Sequence, residues 1–269
     1  MIRTLEAAVL GLLLLTVSTT ARADVDLYLA PQIGISWILG ETQGEVSGAA
    51  TFGFKGEDID ESPLVGAALG VEIPMNELVP REWVPNLRLP NWPVRFEVET
   101  TALRDYELKT NGFGAGAANF LTEIDALVFS ANAWLDLPML TAWRPWQYVF
   151  GLGRQPLVRQ YLEPASFYFG SGVGFTDLEI RGTDNVFRGD DSTIDFAWTA
   201  GGGINYRVTD RVKLSAGYRY LSLGTNTDSQ SIRLTGGPGT NDKLDYDFQV
   251  HEFRFGVQVR LWSFPGVWR

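Results

Sequence analysis

The stretch Phe253-Arg254-Phe255-Gly256-Val257-Gln258-Val259-Arg260-Leu261 alternates without a break. Phe253, Phe255, Val257, Val259 and Leu261 fall on one parity, and Arg254, Gly256, Gln258 and Arg260 on the other. A period of two belongs to a β-strand with two unlike faces. One face suits lipid; the other suits water or an ion-paired interior. One such strand fits a soluble sandwich as well, so the decision rests on how often the pattern recurs.

It recurs seven times upstream. Val25 to Trp37 sets Leu27, Leu29, Ile33 and Ile35 against Asp26, Tyr28, Gln32 and Ser36. Leu64 to Ile73 places Glu72 on the polar parity. From Pro93 to about Tyr106, Arg95, Glu97 and Glu99 alternate with Val94, Phe96 and Val98. Ile124 to Leu137, Ser166 to Leu178, Phe196 to Val208 and Val212 to Leu221 follow, the last two carrying Arg207, Lys213 and Arg219 on the polar parity. The interior charges expected are therefore Glu72, Arg95, Glu97, Glu99, Arg207, Lys213, Arg219, Glu252, Arg254 and Arg260. Facing lipid, each would cost a few kcal/mol near the midplane (about 2–4 for Arg or Lys). Facing inward, they pair or stay hydrated. The expectation is an all-β, closed antiparallel transmembrane barrel of eight strands, apolar outside and polar inside. An extra strand at Trp146 to Gly153 makes ten strands the alternative.

The rest of the chain fits a barrel behind an export signal. Met1 to Ala23 has a basic start at Arg3, an apolar run from Ala7 to Val17 and a small-x-small end at Ala21-Arg22-Ala23. That is the form of a cleaved signal peptide, with the barrel domain spanning 24–269. No cysteine occurs, so no disulfide holds the fold. Mean hydropathy is −0.03 although aromatics reach 13%, as two opposed faces would give. The net charge of −10, without a basic stripe, argues against nucleic acid as a partner.

The connections divide into two sets. Gly40 to Pro63, Glu107 to Glu123, Glu179 to Thr193 and Gly224 to Asp245 read as outer loops, rich in Gly, Asp, Ser, Thr and Asn. The opposite end has a tight turn at Thr209-Asp210 and two long inserts near 74–92 and 138–164. Seven tryptophans map to this inner side: Trp83, Trp92, Trp134, Trp143, Trp146, Trp262 and Trp268. Indole favours membrane interfaces, which predicts that the inserts lie along the inner boundary.

Ala200-Gly201-Gly202-Gly203-Ile204-Asn205-Tyr206, Ala216-Gly217-Tyr218-Arg219-Tyr220 and the final strand together resemble the OmpA-like and opacity-type family of small outer-membrane barrels. The resemblance implies the outer membrane of a Gram-negative bacterium, with its lipids and lipopolysaccharide as neighbours and a monomeric state. It also implies contact with the outer-membrane assembly machinery, for which Arg254, Gly256, Val259 and Leu261 look like the recognition signal. It does not fix one activity, since the fold carries many.

Candidate functional features are few. The sole histidine, His251, falls on the outward parity, and no His-x-Ser pairing accompanies it, so no catalytic residue is assigned. No cofactor or metal site is assigned either. Arg188-Gly189-Asp190 resembles an integrin-binding tripeptide and is the candidate adhesive loop for a host-surface ligand. The acids Glu41, Glu45, Glu57, Asp58, Asp60 and Glu61 of the first outer loop are candidates for divalent bridging to lipopolysaccharide phosphates. The function expected is a structural or surface-interaction, adhesin-like role. A narrow porin-like channel is the alternative, and a lipid A-modifying enzyme comes behind it.

Overall fold

The computed structural model describes residues 25–46, 52–78, 89–111, 119–142, 160–183, 188–223, 230–235 and 241–264. The strands are β1 (Val25–Val46), β2 (Phe52–Pro74), β3 (Pro93–Asn111), β4 (Asn119–Pro138), β5 (Ala165–Thr183), β6 (Arg188–Arg207), β7 (Val212–Ser222), β8 (Gln230–Thr235) and β9 (Asn241–Phe264). Two short helices, α1 (Met75–Leu78) and α2 (Met139–Ala142), follow β2 and β4.

Each strand pairs antiparallel with its neighbour, and β9 pairs back to β1, which closes the barrel. The short β8 pairs with β9 at Asn241 to Tyr246, beyond the stretch of β9 that β7 occupies. β7 and β8 therefore share one position in the wall, and the barrel has eight positions, not ten. The stretch Trp146 to Gly153 lies outside the described residues. A walk across the hydrogen bonds from Leu29 passes Leu69, Val98, Ala131, Val173, Trp198, Ser222 and Gln249. It returns to β1 at Leu39, ten residues along. Such a stagger tilts the strands by about 35–45° and leaves an interior that side chains fill.

The start of β1, the end of β9, α1, α2 and the Thr209-Asp210 turn lie at one end, here the proximal end. That turn is closed by Val208 N–H donating to Val212 O (2.9 Å) and by Thr209 Oγ1 accepting from Val212 N–H (3.0 Å). Of the inserts, residues 79–88 and 143–159 are outside the described set, and with them Trp83, Trp143 and Trp146; so is Trp268.

The faces follow the sequence pattern in the membrane-spanning part. Ile33, Ile35, Val65, Phe169, Val173, Phe255 and Leu261 are exposed on the outside. Four expectations are corrected. First, most of the supposed outer loops is strand. β1 and β2 continue their ladder to Val46 and Phe52, and β5 and β6 to Thr183 and Arg188. Polar and glycine-rich segments take strand form here because the ladder satisfies their backbone groups. Second, Trp134 is not a belt residue. It lies on the inward parity of β4 and is buried. Third, a bulge between Leu103 and Tyr106 moves the inward parity of β3 from odd to even, so Leu103, Tyr106 and Leu108 all face inward. Fourth, the interior is not polar throughout. Its distal half is packed by Ile38, Leu64, Leu103, Ile124, Leu178, Leu221 and Val250.

Candidate functional site in the lumen and at the outer rim

The proximal half of the lumen holds the predicted charges in a connected network. Glu99 of β3 is its centre. Arg219 Nη1 donates to Glu99 Oε1 at 2.6 Å and Arg254 Nη2 to the same oxygen at 2.7 Å. Arg219 also donates twice to Glu252, through Nε at 2.5 Å and Nη2 at 3.2 Å. Four residues nearer the proximal end of β3, Arg95 bridges Glu97 (2.8 Å) and Asp136 (3.0 Å). Lys213 pairs with Glu72. These groups are nearly all buried, so the pairing is what makes their burial tolerable.

Five carboxylates (Glu72, Glu97, Glu99, Asp136, Glu252) face four cations (Arg95, Lys213, Arg219, Arg254). Neutral donors take up the difference at Glu97. Tyr28 Oη donates to it at 2.6 Å and Trp134 Nε1 at 2.9 Å. Asn132, Thr199, Asn205 and Gln258 extend the network around the wall. Tyr28, Asn132, Trp134 and Asp136 were absent from the predicted set. Parity was the available signal, because each alternates with outward apolar residues.

Two predicted interior charges keep the inward parity but lie at the proximal mouth, outside the buried network. Arg207 shares a rung with Lys213, yet it is exposed at the proximal mouth. Its strand ends there, and solvent replaces an ionic partner. Arg260 is one-third exposed at the same mouth and pairs with Asp26 at 3.0 Å. Of the assembly-signal residues, Arg254 and Gly256 face the lumen, and Leu261 faces outward.

Glycines make the network fit. A Cβ on Gly217 would sit 2.0 Å from Tyr168 Oη, and one on Gly70 would sit 2.6 Å from the Tyr28 ring. Within the network lies a cavity of about 40 Å³ bordered by Gln32, Glu97, Tyr168, Ser215, Arg254 and Gln258. It has room for about two or three waters.

Beyond the network, filling and wall change polarity together. Ser36 and Tyr106 share a hydrogen bond at the changeover, and the apolar core follows. On the outside, the apolar band of β4 and β5 gives way at the same level to Asp125, Asp177, Glu123, Glu179 and Arg181. Seven of the strands have 19–24 residues. A tilted strand needs only about 9–11 to cross a bilayer. Roughly half of the barrel is thus a stem beyond the membrane, built with an apolar core and, on β3 to β5, a charged exterior.

The family described as outer membrane protein beta-barrel domain matches residues 122–260. The chain belongs to this family. It is an integral barrel of the outer membrane. In bacterial barrels of this kind the end with the tight turns is periplasmic, and by that general rule the proximal end takes the periplasmic label and the distal end the extracellular one. It is 24% identical over 176 residues to outer membrane protein PagN of Salmonella typhimurium, across 61% of this chain and 64% of that one. It is 31% identical over 74 residues to the 25 kDa outer-membrane immunogenic protein of Brucella ovis, across 27% of this chain and 34% of that one. The match thus spans less than two thirds of either relative. Among solved structures, Neisserial surface protein A is 15% identical with a TM-score of 0.40, over 84% of this chain and 97% of that one.

The outer-membrane family sets the remaining candidates in place. Arg188, Gly189 and Asp190 begin β6 and pair with Thr183, Gly182 and Arg181. They form the extracellular end of a ladder, not a loop, because only 184–187 separate the two strands. The acidic segment Gly40 to Pro63 is likewise mainly ladder, with 47–51 between the strands. Asp60 is engaged within the stem, its Oδ2 accepting from Glu107 N–H at 2.7 Å. His251 faces outward at the outer rim, as its parity predicts. Its Nδ1 meets the Tyr218 hydroxyl, and its ring packs on Tyr220 at 5.5 Å.

Proposed function

We propose that this protein is a sealed outer-membrane barrel whose working surface is the extracellular end of its stem, used to engage a ligand on a host surface. The observation that carries the reading is the filling of the lumen. Paired charges occupy its periplasmic half and a dry apolar core its extracellular half. A conducting pore needs a continuous wet path, which such a core interrupts. A stem that rises past the membrane is suited to presenting its tip. The word immunogenic in the name of the Brucella ovis relative agrees with an exposed surface. An enzymatic reading finds less support, since His251 is engaged by tyrosines and faces lipid.

The end of β6 at Arg188-Gly189-Asp190 is the first segment to test for adhesion. Bacteria displaying the protein should attach to cultured host cells, and Asp190→Glu should abolish the gain. The refolded protein, checked by its altered gel migration when unheated, should give no unitary steps in a planar bilayer. Reproducible steps would replace this reading with a channel. Attachment equal to that of cells without the protein would remove the adhesive role.

A further inference from the structure

In the stem the ladder between β2 and β3 stops. The two strands pair from the proximal end as far as Leu64 with Leu103. Both then run on, β2 to Phe52 held by β1 and β3 to Asn111 held by β4. Among the described residues, no ladder pair joins them beyond that rung. The break coincides with the bulge between Leu103 and Tyr106, which bends β3 and ends its pairing on that edge. On the opposite side of the barrel, β6 and β8 share the one described pair Arg188 with Thr235. The stem thus takes the form of two sheets, β8-β9-β1-β2 and β3-β4-β5-β6, facing each other across the apolar core. Ile38, Phe248 and Val250 come from the first sheet, and Leu108, Ile124 and Ile180 from the second.

Side chains fasten the β2–β3 seam where the ladder stops. Asp60 Oδ2 on β2 accepts from Glu107 N–H on β3 at 2.7 Å. The bulge turns Tyr106 inward, and its hydroxyl meets Ser36 Oγ, which donates to Ser62 O at 2.9 Å. We infer that this seam is a hinge along which the two sheets part, with Asp60 and Tyr106 as its latches. A ladder of paired amides opens as one cooperative unit, whereas a seam fastened by individual side chains opens locally. The rung Leu64–Leu103 is the pivot, and the ladder below it stays closed around the paired charges. Opening brings the apolar core of the stem to the surface just above the membrane. The inference rests on strand register and not on the adhesive reading.

The chain has no cysteine, so a single introduced thiol reports opening at its own position. Leu108→Cys, on β3 beside the seam, and Ile180→Cys, on β5 away from it, lie in one core, and both residues are 1% exposed. A water-soluble thiol reagent is added to the folded full chain in detergent micelles, with folding checked by gel migration. Leu108→Cys should react at least about tenfold faster than Ile180→Cys. Adding Asp60→Ala should speed the first at least about tenfold more and leave the second unchanged. Equal rates at the two positions would overturn the hinge, because global unfolding exposes both alike. A rate at Leu108→Cys that ignores Asp60→Ala would overturn the latch. If either cysteine variant fails to fold, Ser62→Cys on β2 and Thr176→Cys on β5 carry the same comparison, since those residues are 3% and 0% exposed.

Discussion

Replacing Glu99 by Gln should be the most damaging isosteric change in the barrel. Glu99 is buried, and a single oxygen accepts from Arg219 (2.6 Å), Arg254 (2.7 Å) and Thr101 (2.6 Å). Gln keeps the volume and removes the charge. Arg219 would retain its two bonds to Glu252. Arg254 would keep Thr101 at 3.0 Å and a Glu252 oxygen 3.7 Å from its Nε, which is beyond hydrogen-bond range. Arg254 then keeps only the more distant Glu252 as counter-charge and no charged hydrogen-bond acceptor, a loss of about 3 kcal/mol. Since about 1.4 kcal/mol is tenfold, the folded-to-unfolded ratio should fall more than about hundredfold. The measurement is urea unfolding of the refolded protein in lipid vesicles, read by tryptophan fluorescence. The midpoint should drop with the slope unchanged. Arg254→Gln in the same background should cost much less than it does alone, a coupling of at least about 1 kcal/mol. A midpoint within about 0.5 kcal/mol of the parent would refute the claim that Glu99 holds the network.

Further outcomes follow from the same geometry. Gly217→Ala drives a methyl into Tyr168 Oη and Gly202 O (2.0 and 2.8 Å) and should cost about 1–3 kcal/mol by the same unfolding assay. Leu178→Ala opens a hole in the stem core and should cost about 2–5 kcal/mol; Val173→Ala, on the lipid face, should change the midpoint far less. Arg207→Gln should be nearly silent because the side chain is exposed at the mouth, whereas Lys213→Gln should destabilise by unpairing Glu72. Glu179→Gln should leave stability within about 0.5 kcal/mol, since its pair with Arg181 is exposed on the stem.

The membrane part of this barrel is legible in the sequence because two periodicities agree there. The apolar set alternates with a charged set, and lipid tolerates only one assignment of faces. Glu97 and Arg95 could be placed inside from parity alone. That Arg95 pairs with Asp136 could not be read, since the two are 41 residues apart and meet only through the register of β3 and β4. The stem was illegible for a different reason. Segments such as Glu57 to Asp60 have the composition of loops, and only ladder pairing with Ile38 to Glu41 makes them strand. The bulge after Leu103 shifts parity with no glycine or proline to announce it.

The reversal of polarity along the barrel follows from what surrounds each half. In the membrane the outer wall must be apolar, so the charges that the chain carries there can only point inward and pair. Above the membrane the outer wall meets water, and most of the apolar residues that the chain carries there point inward and pack, with Ile59 and Ile194 as exposed exceptions. The two fillings meet near Ser36 and Tyr106, about the level at which Asp125 and Asp177 replace apolar residues outside. A single barrel therefore contains two kinds of core in series, and solvent entering the charged half from the periplasm meets an apolar barrier before it reaches the surface. Substituting the apolar half should let solvent through only if several residues change together, because Leu178, Leu221 and Val250 belong to one packed cluster. Conductance that appears in a triple alanine variant at these positions, and in none of the single variants, would place the seal in the stem and not in the ionic network. Conductance from Glu99→Gln alone would place it in the network.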